Sequence, residues 1–105
     1  MPDVQLITTA LFHDIEQRAA ASPRRRMNHN FHASPADNPH RMLNVLLRGT
    51  YVRPHRHVSP PKSEAFLPLT GRVGIVCFDD AGAVTGTYAL DPAGQTRGID
   101  IAPGV

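Results

Sequence analysis

The chain has 105 residues, a formal net charge of +2 with neutral histidines, and 41% hydrophobic residues. This length predicts a single domain, and this hydrophobic content excludes a disordered chain. No apolar run approaches the roughly 20 residues that cross a bilayer, and the positive charge is too small for a nucleic-acid footprint. The N-terminus lacks the features of a signal peptide and Cys77 is the single cysteine, so we expect a cytoplasmic protein with no membrane or nucleic-acid partner.

The first predicted element is an amphipathic helix. Thr8 or Thr9 can cap its start, because a side-chain hydroxyl satisfies an otherwise unpaired backbone N–H. Apolar side chains recur at spacings of three and four and therefore share one face, namely Leu11, Phe12, Ile15 and Ala19. The sequence Ser22-Pro23 ends the helix, because the residue before a proline avoids the helical conformation.

Everything after the helix is predicted to be strand or loop. Prolines and glycines separate short apolar runs, a pattern typical of antiparallel β-structure. The predicted extended segments are 27–32, 41–47, 51–57, 63–69, 72–78, 84–90 and 97–102, with turns at 48–50, 79–82 and 91–94. Short strands joined by tight turns indicate a β-sandwich or a β-barrel. Tyr51 and Phe66 are expected to fill its interior, and Cys77 is expected to be a small core residue.

The segment from Gly49 to Gly71 carries the residues of chemical interest. His55 and His57 are two positions apart, so in a strand both imidazoles point to the same face. Glu64 begins the next predicted strand, after a loop that can turn the chain back. Two nitrogens and one carboxylate oxygen form a facial ligand set that suits a divalent Fe, Mn, Ni or Zn ion. The alternative is a solvated polar strand end that binds no metal.

The spacing of these residues resembles the first motif of the cupin superfamily, which has a glycine, paired histidines, a glutamate and a glycine in the same order. The segments that flank it, RRRMNHNFH at 24–32 and FDDAG at 78–82, resemble the WbuC family of cupin metalloproteins. That family occurs with bacterial surface-polysaccharide genes. The similarity covers about residues 9–104.

The resemblance implies a mainly β fold, a double-stranded β-helix or jelly-roll barrel with the metal inside. Residues 1–26 would form an N-terminal α-helix and a basic loop, and residues 27–105 a partial barrel, within a single domain overall. Cupins take a fourth ligand, a histidine near a late Pro-Gly turn, and the sequence ends at Val105, just after Pro103-Gly104. We therefore expect an incomplete barrel whose open strand edges favour a homodimer. His32 is a candidate replacement for the fourth ligand.

Residues before the motif are candidates for binding a small molecule. Asn28, Asn30 and His32 share one face of a predicted strand and can line a pocket, or they can belong to an ordinary edge strand. Three consecutive arginines, which end with Arg26, occupy positions 24–26. They can bind a carboxylate or a phosphate, or they can form a solvated basic loop. Arg56 lies between the two histidines and is expected to point away from them.

The resemblance implies a metal-binding protein that acts on a small polar molecule. A sugar or sugar nucleotide is the expected ligand class, with isomerisation or epimerisation as the reaction. One alternative is a non-catalytic binding or sensing cupin with a structural metal. Another is an inactive truncated domain that persists as a dimer.

Overall fold

The computed structural model describes residues 3–105, which form one helix and six strands. The helix α1 is Thr9–Ala21, and the strands are β1 Arg26–Asn30, β2 Met42–Leu46, β3 Glu64–Phe66, β4 Val73–Phe78, β5 Val84–Leu90 and β6 Ile99–Ile101. The strands pair antiparallel as β1–β2, β3–β6 and β4–β5. The predicted mainly β chain with an N-terminal helix is confirmed. The described residues form three two-stranded sheets and no closed barrel.

The chain divides into two compact units, with the boundary between Arg53 and Pro54. The first contains α1 and the β1–β2 hairpin, and the second contains the other two sheets. In neither unit do the described residues include a helix with the length and apolar character of a membrane span.

The helix of the first unit follows the capping and periodicity rules closely. The Thr8 side chain accepts a hydrogen bond from the Leu11 N–H at 3.1 Å, so Thr8 is the N-cap. Ser22 caps the other end, where its N–H donates to the Ala19 carbonyl oxygen. Ile15 and Ala19 are completely buried, and α1 packs on β1 and β2. The predicted apolar face is therefore confirmed.

Asp37 organises the connection between β1 and β2. Its Oδ2 accepts hydrogen bonds from the backbone N–H of Ala33 at 2.7 Å and of Ser34 at 3.4 Å. The bond from Ala33 is the largest of the causes that lower the pKa of the Asp37 carboxyl. A carboxylate that accepts backbone N–H groups is stabilised in its charged form.

The β4–β5 hairpin of the second unit turns at Asp79–Gly82, as predicted. The Asp79 carboxylate accepts from the N–H groups of Ala81 and Ala83, at 2.9 and 2.8 Å. Gly82 has φ +87°, a left-handed conformation that glycine adopts without a steric penalty. The hairpin ends at Leu90, which is completely buried.

Residues 51–57 do not form the predicted strand. Pro54 has no N–H to donate to a ladder, and charged side chains interrupt the segment at Arg53 and Arg56. The expectation that Tyr51 fills an interior is wrong, because 74% of the residue is exposed. Phe66 and Cys77 are only partly buried.

Candidate metal centre

Three potential metal ligands converge in the second unit. His55, His57 and Glu64 each offer one ligand atom, and these atoms all lie within 4.8 Å of one another. Ligand atoms on a single zinc ion are each about 2.0–2.2 Å from the metal, so two of them are at most about 4 Å apart. A separation of up to 4.8 Å exceeds this limit slightly, so the side chains must move before all three can bind one ion.

The two imidazoles and the carboxylate are arranged as neighbours. The rings of His55 and His57 have centroids 5.3 Å apart and planes inclined by 84°. Nε2 of His57 is in direct contact with Oε1 of Glu64. An ion needs the lone pair of a neutral imidazole and an ionised carboxylate, so an ion would replace this direct contact between the two side chains.

Backbone contacts with one C-terminal segment hold two of these ligands. Glu64 is the first residue of β3 and lies opposite Ile101 of β6. The carbonyl oxygen of His57 accepts a hydrogen bond from the Gly104 N–H at 3.2 Å. Glu64 thus begins a strand, as predicted, but that strand pairs with β6 rather than with the segment that carries the histidines.

The cluster is accessible to solvent. The side chains of His57 and Glu64 are each 30% exposed, and His55 is exposed. Arg56, between the histidines, forms an ion pair with Asp80, with Nη1 and Oδ1 2.6 Å apart. Arg56 is exposed, as expected, and its charge is directed to a carboxylate outside the cluster.

The comparison with protein families identifies one match. A family model described as a domain of unknown function, DUF6016, matches residues 7–90, four fifths of the chain. The chain belongs to the DUF6016 family. No curated protein and no solved structure is significantly similar to it. The matched region of this DUF6016 protein includes α1 and all three residues of the cluster.

The remaining candidates of the DUF6016 chain lie in its first unit. Asn28 and Asn30 are on the exposed face of β1, and Nδ2 of Asn28 donates to Oδ1 of Asn30 at 3.1 Å. The His32 ring stacks on His40 with centroids 4.2 Å apart, and its Nδ1 lies 3.1 Å from the Arg41 carbonyl oxygen. Within residues 3–105, the cluster of metal-ligand side chains does not include His32.

A pocket of about 520 Å³ in the first unit of the DUF6016 chain was not predicted from the sequence. Its lining combines the connection from α1 to the start of β1 with the segment after β2, and it includes Arg24, Arg25, Arg26, Thr50, Tyr51 and Arg53. The arginine run was visible as a candidate anion site. No local pattern indicated that Arg53, 27 positions after Arg26, lines the same pocket.

Proposed function

We propose that this DUF6016 protein is a cupin-type metalloprotein that binds one divalent ion through His55, His57 and Glu64. The observation that carries the proposal is the convergence of their ligand atoms within 4.8 Å. The order and spacing of the three residues in the sequence give the proposal a second line of support, because they resemble the first cupin motif. Two imidazoles and one carboxylate suit Fe, Mn, Ni and Zn, so the ligand set favours none of these metals.

In this proposal the protein binds a small polar molecule, such as a sugar or sugar nucleotide. The reaction takes place in the cytoplasm and belongs to the synthesis of surface polysaccharides. A bound divalent ion supplies Lewis acidity that polarises a carbonyl or hydroxyl oxygen, which suits an isomerisation or epimerisation. His57 and Glu64 hold the ion from positions set by backbone hydrogen bonds and strand pairing. The exposure of His55 leaves the cluster open to a ligand from solvent.

A non-catalytic binding or sensing role is the second candidate. The cluster among the described residues consists of two histidines and one glutamate, and no further histidine, cysteine or carboxylate belongs to it. All three side chains are needed as ligands, so none remains within the cluster to act as a general base. This composition favours an ion that is structural or that orients a bound molecule.

Metal binding itself is the first test. Chelator-treated protein is loaded in turn with Fe(II), Mn(II), Ni(II) and Zn(II), and metal content and affinity are measured by elemental analysis and calorimetry. We expect one ion per chain, and an affinity at least about tenfold lower in His57→Ala. His13→Ala is the matched control, because His13 is exposed on α1. Unchanged metal content in a His55→Ala, His57→Ala double variant contradicts the proposal.

Turnover then distinguishes an enzyme from a binding protein. Metal-loaded protein is incubated with a panel of nucleotide sugars, and the products are separated by chromatography. Conversion that disappears in the double variant supports the isomerase or epimerase. Metal-dependent binding of a sugar without conversion supports the sensing role. Sedimentation velocity tests the accompanying proposal of a homodimer through the unpaired edges of the two-stranded sheets.

A further inference from the structure

Arginine is the most frequent residue type in the lining of the first unit's pocket. Four of its eight lining residues are arginines, and the others are proline, glycine, threonine and tyrosine, so no lining residue carries a carboxylate. The like charges of the consecutive Arg24, Arg25 and Arg26 repel one another, and a bound anion relieves that repulsion. The four arginines are Arg24, Arg25, Arg26 and Arg53.

Backbone oxygens hold two of these side chains in place. Nε of Arg25 donates to the Arg48 carbonyl oxygen at 3.3 Å, and Nη1 of Arg26 donates to the Tyr51 carbonyl oxygen at 3.1 Å. A guanidinium group has five N–H donors, so each of these two retains donors for a ligand. Their partners are neutral, which leaves the positive charge uncompensated. Side chains already held in position lose less entropy when they bind a ligand.

Two backbone carbonyl oxygens of the arginine run also accept hydrogen bonds from the segment after β2. The Thr50 hydroxyl donates to the Arg24 carbonyl oxygen at 2.6 Å, and the Leu47 N–H donates to the Arg25 carbonyl oxygen at 3.0 Å. Arg25 has φ +55°, a conformation that glycine adopts more easily than arginine. Arginine therefore occupies a backbone position that glycine would adopt with less strain, and backbone strain of this kind is frequent at functional sites.

We propose that this arginine pocket binds the diphosphate group of a small molecule. Guanidinium forks match pairs of phosphate oxygens, and several forks around one pocket favour two linked phosphates over one. A volume of about 520 Å³ is within the range of about 300–1,000 Å³ for small-molecule sites. The pocket contains none of the proposed metal ligands, so the two sites are independent proposals.

Calorimetry of the full chain tests this site. The titrations use inorganic pyrophosphate, orthophosphate and uridine diphosphate at low ionic strength, with a chelator present so that bound metal cannot contribute. We expect one pyrophosphate per chain, bound at least about tenfold more tightly than orthophosphate. Uridine diphosphate that binds more tightly than pyrophosphate indicates a nucleotide as the source of the group. Equal or weaker binding indicates free pyrophosphate, and both results support a diphosphate site.

Charge-matched variants show whether the named arginines form the site. Arg24→Ala and Arg26→Ala are each expected to weaken pyrophosphate binding at least about tenfold, and Arg26→Lys should recover part of the loss. Arg72→Ala removes the same charge from an exposed position outside the pocket and should change affinity less than about twofold. Circular dichroism and the melting temperature establish that each variant is folded.

Three results overturn the proposal. The first is the absence of pyrophosphate binding by the folded wild-type protein at millimolar ligand. The second is an equal loss of affinity in Arg72→Ala, which would indicate a diffuse electrostatic effect. The third is binding to a single-stranded RNA oligonucleotide but not to pyrophosphate, which would indicate an extended polyanion surface.

Discussion

Gly104 donates its backbone N–H to the carbonyl oxygen of His57 at 3.2 Å, and Ile101, three positions earlier, is the strand partner of Glu64. One short C-terminal segment therefore positions the backbone of both His57 and Glu64, whose side chains contact each other. The arrangement of two of the three candidate metal ligands therefore depends on backbone contacts with this segment.

A pair of glycine variants can distinguish a positioning role of Gly104 at the metal site from the general cost of backbone strain. Gly104 and Gly82 have φ +82° and +87°, and a Cβ on either would meet no atom within 4 Å. Alanine at both positions therefore costs a similar amount, about 1–2 kcal/mol. We expect Gly104→Ala to weaken metal binding several-fold, measured by calorimetry, and Gly82→Ala to lower stability without changing metal affinity. Equal affinities in the two variants would contradict the positioning role of Gly104.

Glu64→Gln tests the carboxylate without changing the side-chain shape. An amide oxygen carries no charge, so we expect metal affinity to fall at least about tenfold. Asp80→Asn provides the control, because Asp80 is an exposed carboxylate paired with Arg56. Wild-type affinity should also decrease as the pH falls, since protons compete with the ion for its ligands. An affinity that is independent of pH would count against binding by histidine and carboxylate.

Arg25→Gly should separate folding from anion binding. Glycine removes the steric penalty at φ +55°, while it increases the entropy of the unfolded chain and loses the bond to the Arg48 carbonyl. These effects oppose one another, so we expect the free energy of unfolding to change by less than about 1 kcal/mol. Pyrophosphate affinity should nevertheless fall, as measured by calorimetry. Unchanged affinity would remove Arg25 from the proposed site.

Asp37 should contribute to the decrease in the free energy of unfolding at acid pH. Its pKa is lowered, first by the hydrogen bond from the Ala33 N–H, so the folded state binds its proton less readily than the unfolded state. The stabilisation is present above the unfolded pKa and is lost as the pH falls through the lower, folded value. An NMR titration of the Asp37 carboxyl should have a midpoint below the ordinary range for aspartate. In Asp37→Asn, stability should depend less steeply on acid pH.

The core of the first unit should depend strongly on Ile15. This side chain is completely buried, so Ile15→Ala should lower the free energy of unfolding by about 2–5 kcal/mol. Ile7→Ala deletes the same atoms from a residue that is 53% exposed, and it should change stability by less than about 0.5 kcal/mol. Urea denaturation measures both values. Similar losses in the two variants would contradict the packing of α1 described above.

Local features of this chain were predictable from its sequence. The Thr8 cap, the buried face at Ile15 and Ala19, and the Asp79–Gly82 turn each depend on residues within a few positions of one another. Strand β5 has the predicted bounds for the same reason, since it directly follows that turn. The candidate metal ligands were also recognisable, because His55 and His57 are two positions apart and Glu64 follows after one loop.

Long-range pairing was decided only by the tertiary structure. Strand β3 pairs with β6, the Gly104 N–H bonds to His57, and Arg53 joins the arginine run in one pocket. Each of these contacts joins residues more than 25 positions apart in the chain. Contacts across such long loops leave no local pattern in the sequence from which they could be predicted. The exposure of Tyr51 follows from the same cause, because an apolar side chain is buried only where distant segments cover it. Short-range hydrogen bonding and periodicity thus determined α1, β5 and the turn before β5, and long-range packing decided which residues meet.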